Sequence, residues 1–271
     1  MVELSNFPLG IISDDFGNLW IRLTSGLIVI DASGNYVYLN EGSDLNGLPA
    51  SEVLSMANDK EGQVWIGTTG GVLEFFATSV DGLKQETVSA RPVYEGFPLL
   101  RDEEVTSIAI DGANRKWLGT NRGLWLFNED GSELIDFYDE DNSPLFSSSI
   151  LDIAIDDITG EVFIATDEGL LSLRGFATEA KQNFEQAKIF PNPVREDFDG
   201  YISISGLTFN ASVKITDISG KLIWDTIANG GTATWNARNY NGEKAKTGIY
   251  LVYVASESGE EVFKGKIAVI E

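Results

Sequence analysis

The sequence of 271 residues contains no cysteine and no histidine. Without cysteine, the chain can form neither a disulfide framework nor a thiolate metal site. Without histidine, it lacks the commonest general base, the usual partner of a catalytic serine and the commonest zinc ligand. An enzyme built from this chain would have to work with carboxylates, lysine or tyrosine alone.

Long apolar runs and positive charge are also scarce. No stretch approaches the roughly 20 apolar residues that a spanning helix needs, so we expect a chain that does not cross a membrane. The net charge of −23 is unevenly placed: residues 186–271 hold 9 Lys and Arg against 10 Asp and Glu, which leaves 10 against 32 in residues 1–185. Because nucleic-acid binding depends on basic side chains, we expect no nucleic-acid partner.

The first ten residues resemble no signal peptide, and we expect the chain to be part of a longer one.

Glycine is abundant, with 28 residues that separate short apolar runs of alternating pattern, and this predicts an all-β protein. Four segments repeat one pattern: LWIRLTSGLIVI, VWIGTTGGVLEF, KWLGTNRGLWLF and VFIATDEGLLSL. Aligned on their aromatic residue, they are 45, 52 and 46 residues apart. These spacings are close to those of four-stranded propeller blades.

Three positions recur in every repeat. An aspartate stands six residues before the aromatic, where it can accept backbone N–H bonds in a turn. A glycine stands six residues after it and supplies the positive φ of a hairpin, while the aromatic packs one sheet on the next. Together these positions are Asp14, Trp20, Gly26, Asp59, Trp65, Gly71, Asp111, Trp117, Gly123, Asp157, Phe163 and Gly169. Since one sheet cannot bury both its faces alone, we expect four stacked blades rather than unrelated hairpins in one sandwich.

The pattern over residues 7–174 resembles the two-component regulator propeller repeat, although Arg22 and Leu23 replace its Gly-Thr in the first repeat. We expect outer strands in YVYLN, ETVSARPVY and ELIDFYD, and none after GLLSLR. The last blade of a closed propeller often takes its missing strand from the start of the domain. We therefore expect residues 1–175 to be a partial β-propeller, the last four blades of a larger ring. The resemblance implies a fold and no function.

A second module, residues 186–271, follows with about seven alternating strands, which predicts an immunoglobulin-like β-sandwich. Its segments FPNPV, VKITDISGKLIW, TGIYLVYV and KGKIAVI resemble the C-terminal sorting domain of type IX secretion. The positions that match are Pro191, Asn192, Pro193, Asp217, Gly220, Gly248, Tyr250 and Lys266. This resemblance implies that the mature protein is exported across the outer membrane.

The combination of the two modules resembles the PorZ family of surface components of the type IX machinery. That resemblance implies a non-enzymatic interaction protein at the cell surface, associated with the outer membrane. Its implied partners are translocon and attachment-complex proteins, together with anionic lipopolysaccharide or another glycan. One alternative is an exported cargo protein of glycan-binding or adhesin type that uses the module only as a sorting signal. An enzyme on a propeller scaffold and a sensor kinase are less favoured.

Few residues suggest chemistry of their own. Residues 129–141 contain seven acidic side chains in thirteen, among which Asp136, Asp139 and Asp141 are candidates for a calcium ion. The EF-hand spacing is missing, which favours a solvated blade edge. Tyr94, Trp125 and Tyr138 are candidates for stacking on sugars. No phosphate loop, nucleotide fingerprint or nucleophile motif occurs, and we expect no catalytic residue and no cofactor.

Overall fold

A computed structural model of the chain describes residues 7–76, 78–260 and 262–270, and its strands confirm the all-β prediction. The chain divides into two compact units. The first comprises Met1–Ile110, Asn114–Ile155 and Val162–Leu173. The second comprises Asp111–Ala113, Asp156–Glu161 and Arg174–Glu271.

The first unit contains four sheets whose strands lie side by side in sequence order. Sheet 1 consists of β1 (Pro8–Ser13), β2 (Leu19–Leu23), β3 (Leu27–Ile30) and β4 (Tyr36–Leu39). Sheet 2 consists of β5 (Val53–Asn58), β6 (Val64–Thr68), β7 (Gly71–Phe75) and β8 (Ser89–Ala90). Sheet 3 consists of β11 (Val105–Ile110), β12 (Lys116–Thr120), β13 (Gly123–Phe127) and β14 (Leu134–Tyr138). Sheet 4 consists of β15 (Ile150–Ile155), β16 (Glu161–Thr166) and β17 (Gly169–Arg174).

The insertion between the second and third repeats differs from the prediction. The expected outer strand in residues 86–94 is reduced to β8, and β9 (Val93–Tyr94) pairs instead with β10 (Phe97–Pro98). Pro92 lies between the two short strands and has no N–H with which to continue the ladder. A short helix, α1 (Val80–Gln85), precedes them. The described residues include no helix long and apolar enough to cross a membrane.

Aromatic side chains hold the sheets of the first unit together. Trp20, Trp65 and Trp117 are 1%, 0% and 2% exposed, and each packs in a cluster with residues of the following sheet. Phe163 occupies the same register position in sheet 4, opposite Ala154, and is 37% exposed. Its ring is more exposed than the tryptophans because no further sheet covers it among the described residues.

Glycine on the second strand of one sheet allows the first strand of the next sheet to come close. A Cβ atom on Gly119 of β12 would lie 2.6 Å from Ile150 Cγ2 of β15, and one on Gly67 of β6 would lie 2.7 Å from the carbonyl oxygen of Val105 of β11. Arg22 occupies the equivalent position of sheet 1. The glycine of the second and third repeats therefore leaves room for the next sheet.

The second unit is a sandwich of two sheets. Sheet 5 has the order β18 (Lys188–Phe190), β20 (Ile202–Ser205) and β23 (Thr232–Trp235). Sheet 6 has the order β19 (Val194–Arg195), β25 (Val262–Ile270), β24 (Gly248–Ala255), β21 (Ser212–Asp217) and β22 (Leu222–Ile227). Buried residues of both sheets, including Ile204, Trp235, Val213 and Val252, form one core. The eighth strand, which the sequence did not predict, is the short β19, parallel to β25.

Candidate functional site

The aspartate and the tryptophan of a repeat are joined directly. In the first repeat, Asp14 Oδ1 accepts two backbone N–H bonds of the turn at 2.9 Å, and its Oδ2 accepts the Trp20 Nε1–H at 2.8 Å. Asp59 and Trp65 make the same side-chain contact at 3.1 Å. In these two repeats a single carboxylate thus fixes both the turn and the orientation of the indole, which explains the separation of six residues. These aspartates serve the fold and leave no oxygen free for catalysis.

The fourth repeat requires a correction, because Asp156 and not Asp157 takes the turn position. The turn from Asp156 to Glu161 is one residue longer than the turns at Asp14 and Asp59. Asp156 Oδ1 accepts the backbone N–H of Ile158 at 2.8 Å, and this bond lowers the pKa of the carboxyl. Counting six residues back from Phe163 therefore selected Asp157, which lies one residue after the aspartate of the turn.

Threonine closes the central hairpin in three repeats, a role that the sequence analysis missed. The hydroxyl groups of Thr68, Thr120 and Thr166 donate to the carbonyl oxygens of Gly71, Gly123 and Gly169 at 2.9–3.0 Å. Each hydroxyl also accepts a backbone N–H from the intervening turn. The signal was the threonine that stands three residues before the glycine of each of these three hairpins.

A buried ion pair links sheets 2 and 3. The Lys116 ammonium, which is fully buried, donates to Asp59 Oδ2 at 3.0 Å and to the carbonyl oxygen of Asn114 at 2.9 Å. It also lies 4.8 Å from the centre of the Trp65 ring. Burial lowers the pKa of Lys116, while the Asp59 carboxylate acts in the opposite direction. The pair is buried and joins two sheets, so its role is structural.

The acidic side chains proposed for calcium do not converge. Asp139 Oδ1 accepts the backbone N–H groups of Asp141 and Asn142, and Asp136 Oδ2 accepts the hydroxyl of Tyr138 at 2.7 Å. Among the residues that the structure describes, no group of three or more carboxylates is arranged to hold a metal ion. The carboxylates of this edge are used in its own turns.

The three aromatic candidates of the first unit are half-buried and pack against neighbours. The Trp125 ring lies 4.3 Å from that of Phe137, and the Tyr94 ring lies 5.3 Å from that of Phe127. Tyr138 stacks on Trp117 at 6.3 Å. Tyr94 and Trp125 contribute to the core between sheets 2 and 3, and Tyr138 contributes to the core between sheets 3 and 4, so these rings do not form an open platform for a sugar.

The matching positions of the second module come together at two places. Asn192 donates from Nδ2 to the carbonyl oxygen of Lys266 at 2.8 Å and accepts the backbone N–H of Ala268 at 3.0 Å. This bonds the loop of Pro191 and Pro193, both of which follow cis peptide bonds, to the last strand. Residues that are 74 positions apart in the sequence thus form one structural element.

The other matching positions shape a turn and the adjoining strand. Asp217 repeats the turn of Asp14: its Oδ1 accepts the N–H groups of Ser219 and Lys221 at 2.8 and 3.1 Å, and Gly220 has a φ of +86°. The Ser219 hydroxyl, followed by backbone groups, lowers the pKa of Asp217.

Tyr250 lies directly opposite Asp217 on β24 and donates its hydroxyl to the carbonyl oxygen of Lys246 at 2.9 Å. Burial raises the pKa of this phenol. Gly248 begins the same strand, opposite Val269. None of these contacts forms a catalytic arrangement, and all of them support the sandwich.

The first strands of the four sheets in the first unit line a cavity of about 540 Å³. Arg22 enters this cavity from sheet 1 and donates to the carbonyl oxygen of Leu54. Asp152 lies at its other side and accepts the Ser107 hydroxyl at 3.1 Å. The lining is polar and open, and its charged groups already have partners.

Two family models match parts of the chain. Residues 188–269 match the secretion system C-terminal sorting domain, and residues 47–70 match the two component regulator propeller. No curated protein matches the chain in sequence.

Solved structures extend the comparison to both units. PorZ, an essential bacterial surface component of the type-IX secretion system of Porphyromonas gingivalis, is 26% identical with a TM-score of 0.57. The alignment covers 97% of this chain and 45% of PorZ, so the chain spans less than half the length of that protein.

Two further likenesses are remote. The extracellular domain of a one component system from B. thetaiotaomicron is 14% identical over 97% of this chain and 37% of its own, with a TM-score of 0.46. A gluconolactonase from Xanthomonas campestris is 13% identical over 63% of this chain and 57% of its own, with a TM-score of 0.45. At such values the likenesses carry no argument about this chain. The chain is therefore similar to PorZ over nearly its whole length, and its residues 188–269 match a secretion system C-terminal sorting domain.

Proposed function

We propose that this chain belongs to a non-enzymatic interaction protein of the type IX secretion and attachment machinery, exported to the cell surface and associated with the outer membrane. The observation that carries the proposal is the order of its parts. Regulator-type propeller repeats precede a sorting domain, and the alignment with PorZ runs through both. In this proposal residues 186–271 direct transport across the outer membrane, and residues 1–175 bind partners.

The four sheets of the first unit are, in this proposal, the last four blades of a larger propeller. The exposed ring of Phe163 supports this, because the equivalent tryptophans are buried by a following sheet. Leu151 and Leu170 of sheet 4 and Ile11 of sheet 1 are also more than half exposed. Apolar sheet faces of this kind are normally covered by neighbouring sheets.

The two units would take different partners, because their charges differ. Residues 1–185 carry nearly all of the excess negative charge, which favours protein partners with basic surfaces. Translocon and attachment-complex proteins are the partners proposed for this unit. Residues 186–271 are close to neutral, so an anionic lipopolysaccharide or another anionic glycan meets less repulsion there.

A second candidate function is exported cargo of glycan-binding or adhesin type. The match to the sorting domain favours it, since such a domain alone would serve as an export signal. In cargo the sandwich would be removed during attachment, whereas a machinery component would keep it.

The C-terminus of the mature protein separates the two functions. The protein is recovered from intact cells by surface biotinylation, and mass spectrometry locates its last residue. We expect peptides of β24 and β25 to be present in the surface-labelled protein. A mature C-terminus between Arg174 and Pro191 would contradict the machinery function and support cargo. Absence of surface label in the presence of labelled control proteins would contradict both.

A further inference from the structure

The outer face of sheet 6 is basic, in contrast to most of the chain. Alternate residues of β21 and β24 are buried in the sandwich core, so Lys214 and Tyr253, which lie directly opposite each other, face outward. Lys264 of β25 lies opposite Tyr253 on the other side, and Lys266 follows two residues later on the same face. Arg195 of the short strand β19 is exposed beside the end of β25. Four cations therefore share one face of this sheet.

The positive charge of this face is not neutralised by nearby carboxylates. The four cations are nearly half of the 9 Lys and Arg of residues 186–271, and all four are exposed. In the part of the chain that the structure describes, none of them forms an ion pair. The carboxylate of Asp225 lies opposite Lys214 on the edge strand β22, where it accepts the hydroxyl of Tyr240. A nearly neutral unit thus presents one distinctly positive face.

Apolar side chains of β24 lie between the lysines of β21 and β25. Ile249 and Tyr253 are 43% and 40% exposed, and Leu251 between them is half-buried. The sheet has five strands, and β24 and β25 are 8 and 9 residues long, which gives a face of roughly 20 by 25 Å. An apolar strip flanked by charged groups has the composition of a protein interface, and its area suits a weak, transient contact.

The first unit carries a surface of complementary charge. β14 is the edge strand of sheet 3, and the seven acidic side chains of residues 129–141 lie on and around it. Ile135 of β14 is 45% exposed, and the neighbouring Glu133 and Asp136 are also exposed. This edge presents negative charge around an apolar side chain, which matches the positive charge around the apolar strip of sheet 6.

We propose that the outer face of sheet 6 binds the edge of sheet 3, residues 129–141, of a second copy of this chain. Two chains of net charge −23 repel each other, but at physiological ionic strength charges act over only about 8 Å, so the local match decides. The contact joins two different surfaces, so further copies can add until a ring closes. This inference goes beyond the proposed function and holds for a machinery component and for cargo alike.

Sedimentation velocity of the whole chain at increasing concentration tests this contact. Lys264→Glu with Lys266→Glu reverses the charge of the face, and Glu133→Lys with Asp141→Lys reverses the charge at exposed positions on both sides of β14. Each pair should weaken self-association at least about tenfold, because it brings like charges together. The variant with all four substitutions should associate like the wild type, because both surfaces are then reversed.

Lys188→Glu with Lys244→Glu is the matched control. It makes the same change in net charge at exposed positions outside sheet 6 and should leave self-association unchanged. Circular dichroism of each variant shows that a loss of association is not a loss of fold.

Three results would overturn the proposal. The first is a wild-type chain that stays monomeric at every concentration; if it co-sediments with phosphatidylglycerol vesicles, the face belongs to an anionic membrane surface instead. The second is association that neither charge-reversed pair weakens, which would point to the exposed apolar faces of sheets 1 and 4. The third is a variant with all four substitutions that does not recover the association of the wild type.

Discussion

Glu74 should make the first unit less stable as the pH rises toward neutrality. Its half-buried side chain lies opposite Trp65 on the neighbouring strand. Burial raises its pKa from 4.5 to about 7; Lys116 opposes this, while Asp59 and other acidic groups add to it. The folded pKa therefore lies above the unfolded one. The stabilisation that the neutral carboxyl provides is complete below pH 4.5 and is lost as the pH rises through 7.

The size of this effect follows from the two pKa values. One pKa unit corresponds to about 1.4 kcal/mol, so the difference between 4.5 and about 7 sets an upper limit of about 3 kcal/mol. Partial exposure of Glu74 screens its charge, and we expect about 1–2 kcal/mol in practice. Glu74→Gln cannot ionise and should escape the loss.

Urea denaturation of the wild type and of Glu74→Gln at pH 5 and pH 8 measures this difference. The gain in unfolding free energy on substitution should be near zero at pH 5 and about 1–2 kcal/mol at pH 8. Glu133→Gln, at an exposed position directly before β14, is the matched control and should show no such change. An equal effect of Glu74→Gln at both pH values would refute the argument from burial.

Three other substitutions test the contacts that hold each unit together. Asp59→Asn leaves the buried Lys116 ammonium without its carboxylate and should cost about 3–5 kcal/mol of unfolding free energy in urea; a cost below about 1 kcal/mol would contradict the buried pair. Thr120→Val removes a hydroxyl with two backbone bonds and should cost about 1–3 kcal/mol, seen as a lower thermal midpoint; an unchanged midpoint would speak against the hairpin contact. Asn192→Ala should accelerate amide hydrogen exchange at Ala268, and unaltered exchange would disprove the bond between the loop and the last strand.

The repeated architecture could be predicted because each of its signals is local. An aspartate, a glycine and an aromatic at fixed separations describe one turn, one hairpin and one packing contact, and all three lie within about a dozen residues. In the fourth repeat the turn is one residue longer, and the same count from the aromatic selected Asp157 in place of Asp156. The insertion after sheet 2 was misread because Pro92 interrupts an otherwise strand-like run.

The contacts between distant segments could not be predicted from one sequence. Lys116 reads as an ordinary charged residue at the start of a strand, and only the approach of sheet 3 to sheet 2 makes it a buried partner of Asp59. By contrast, similarity to the PorZ family was expected from motif order and is confirmed by the structural comparison.

Deletion of the gene in the source bacterium tests the central claim most directly. Quantitative mass spectrometry of the cell-surface fraction compares the mutant with the wild type, and an intact copy of the gene supplied on a plasmid serves as the control. If the protein is a component of the secretion and attachment machinery, many proteins with the sorting domain should be missing from the surface of the mutant. They should return when the intact gene is supplied. Loss of this one protein, with every other surface protein unchanged, would contradict the account.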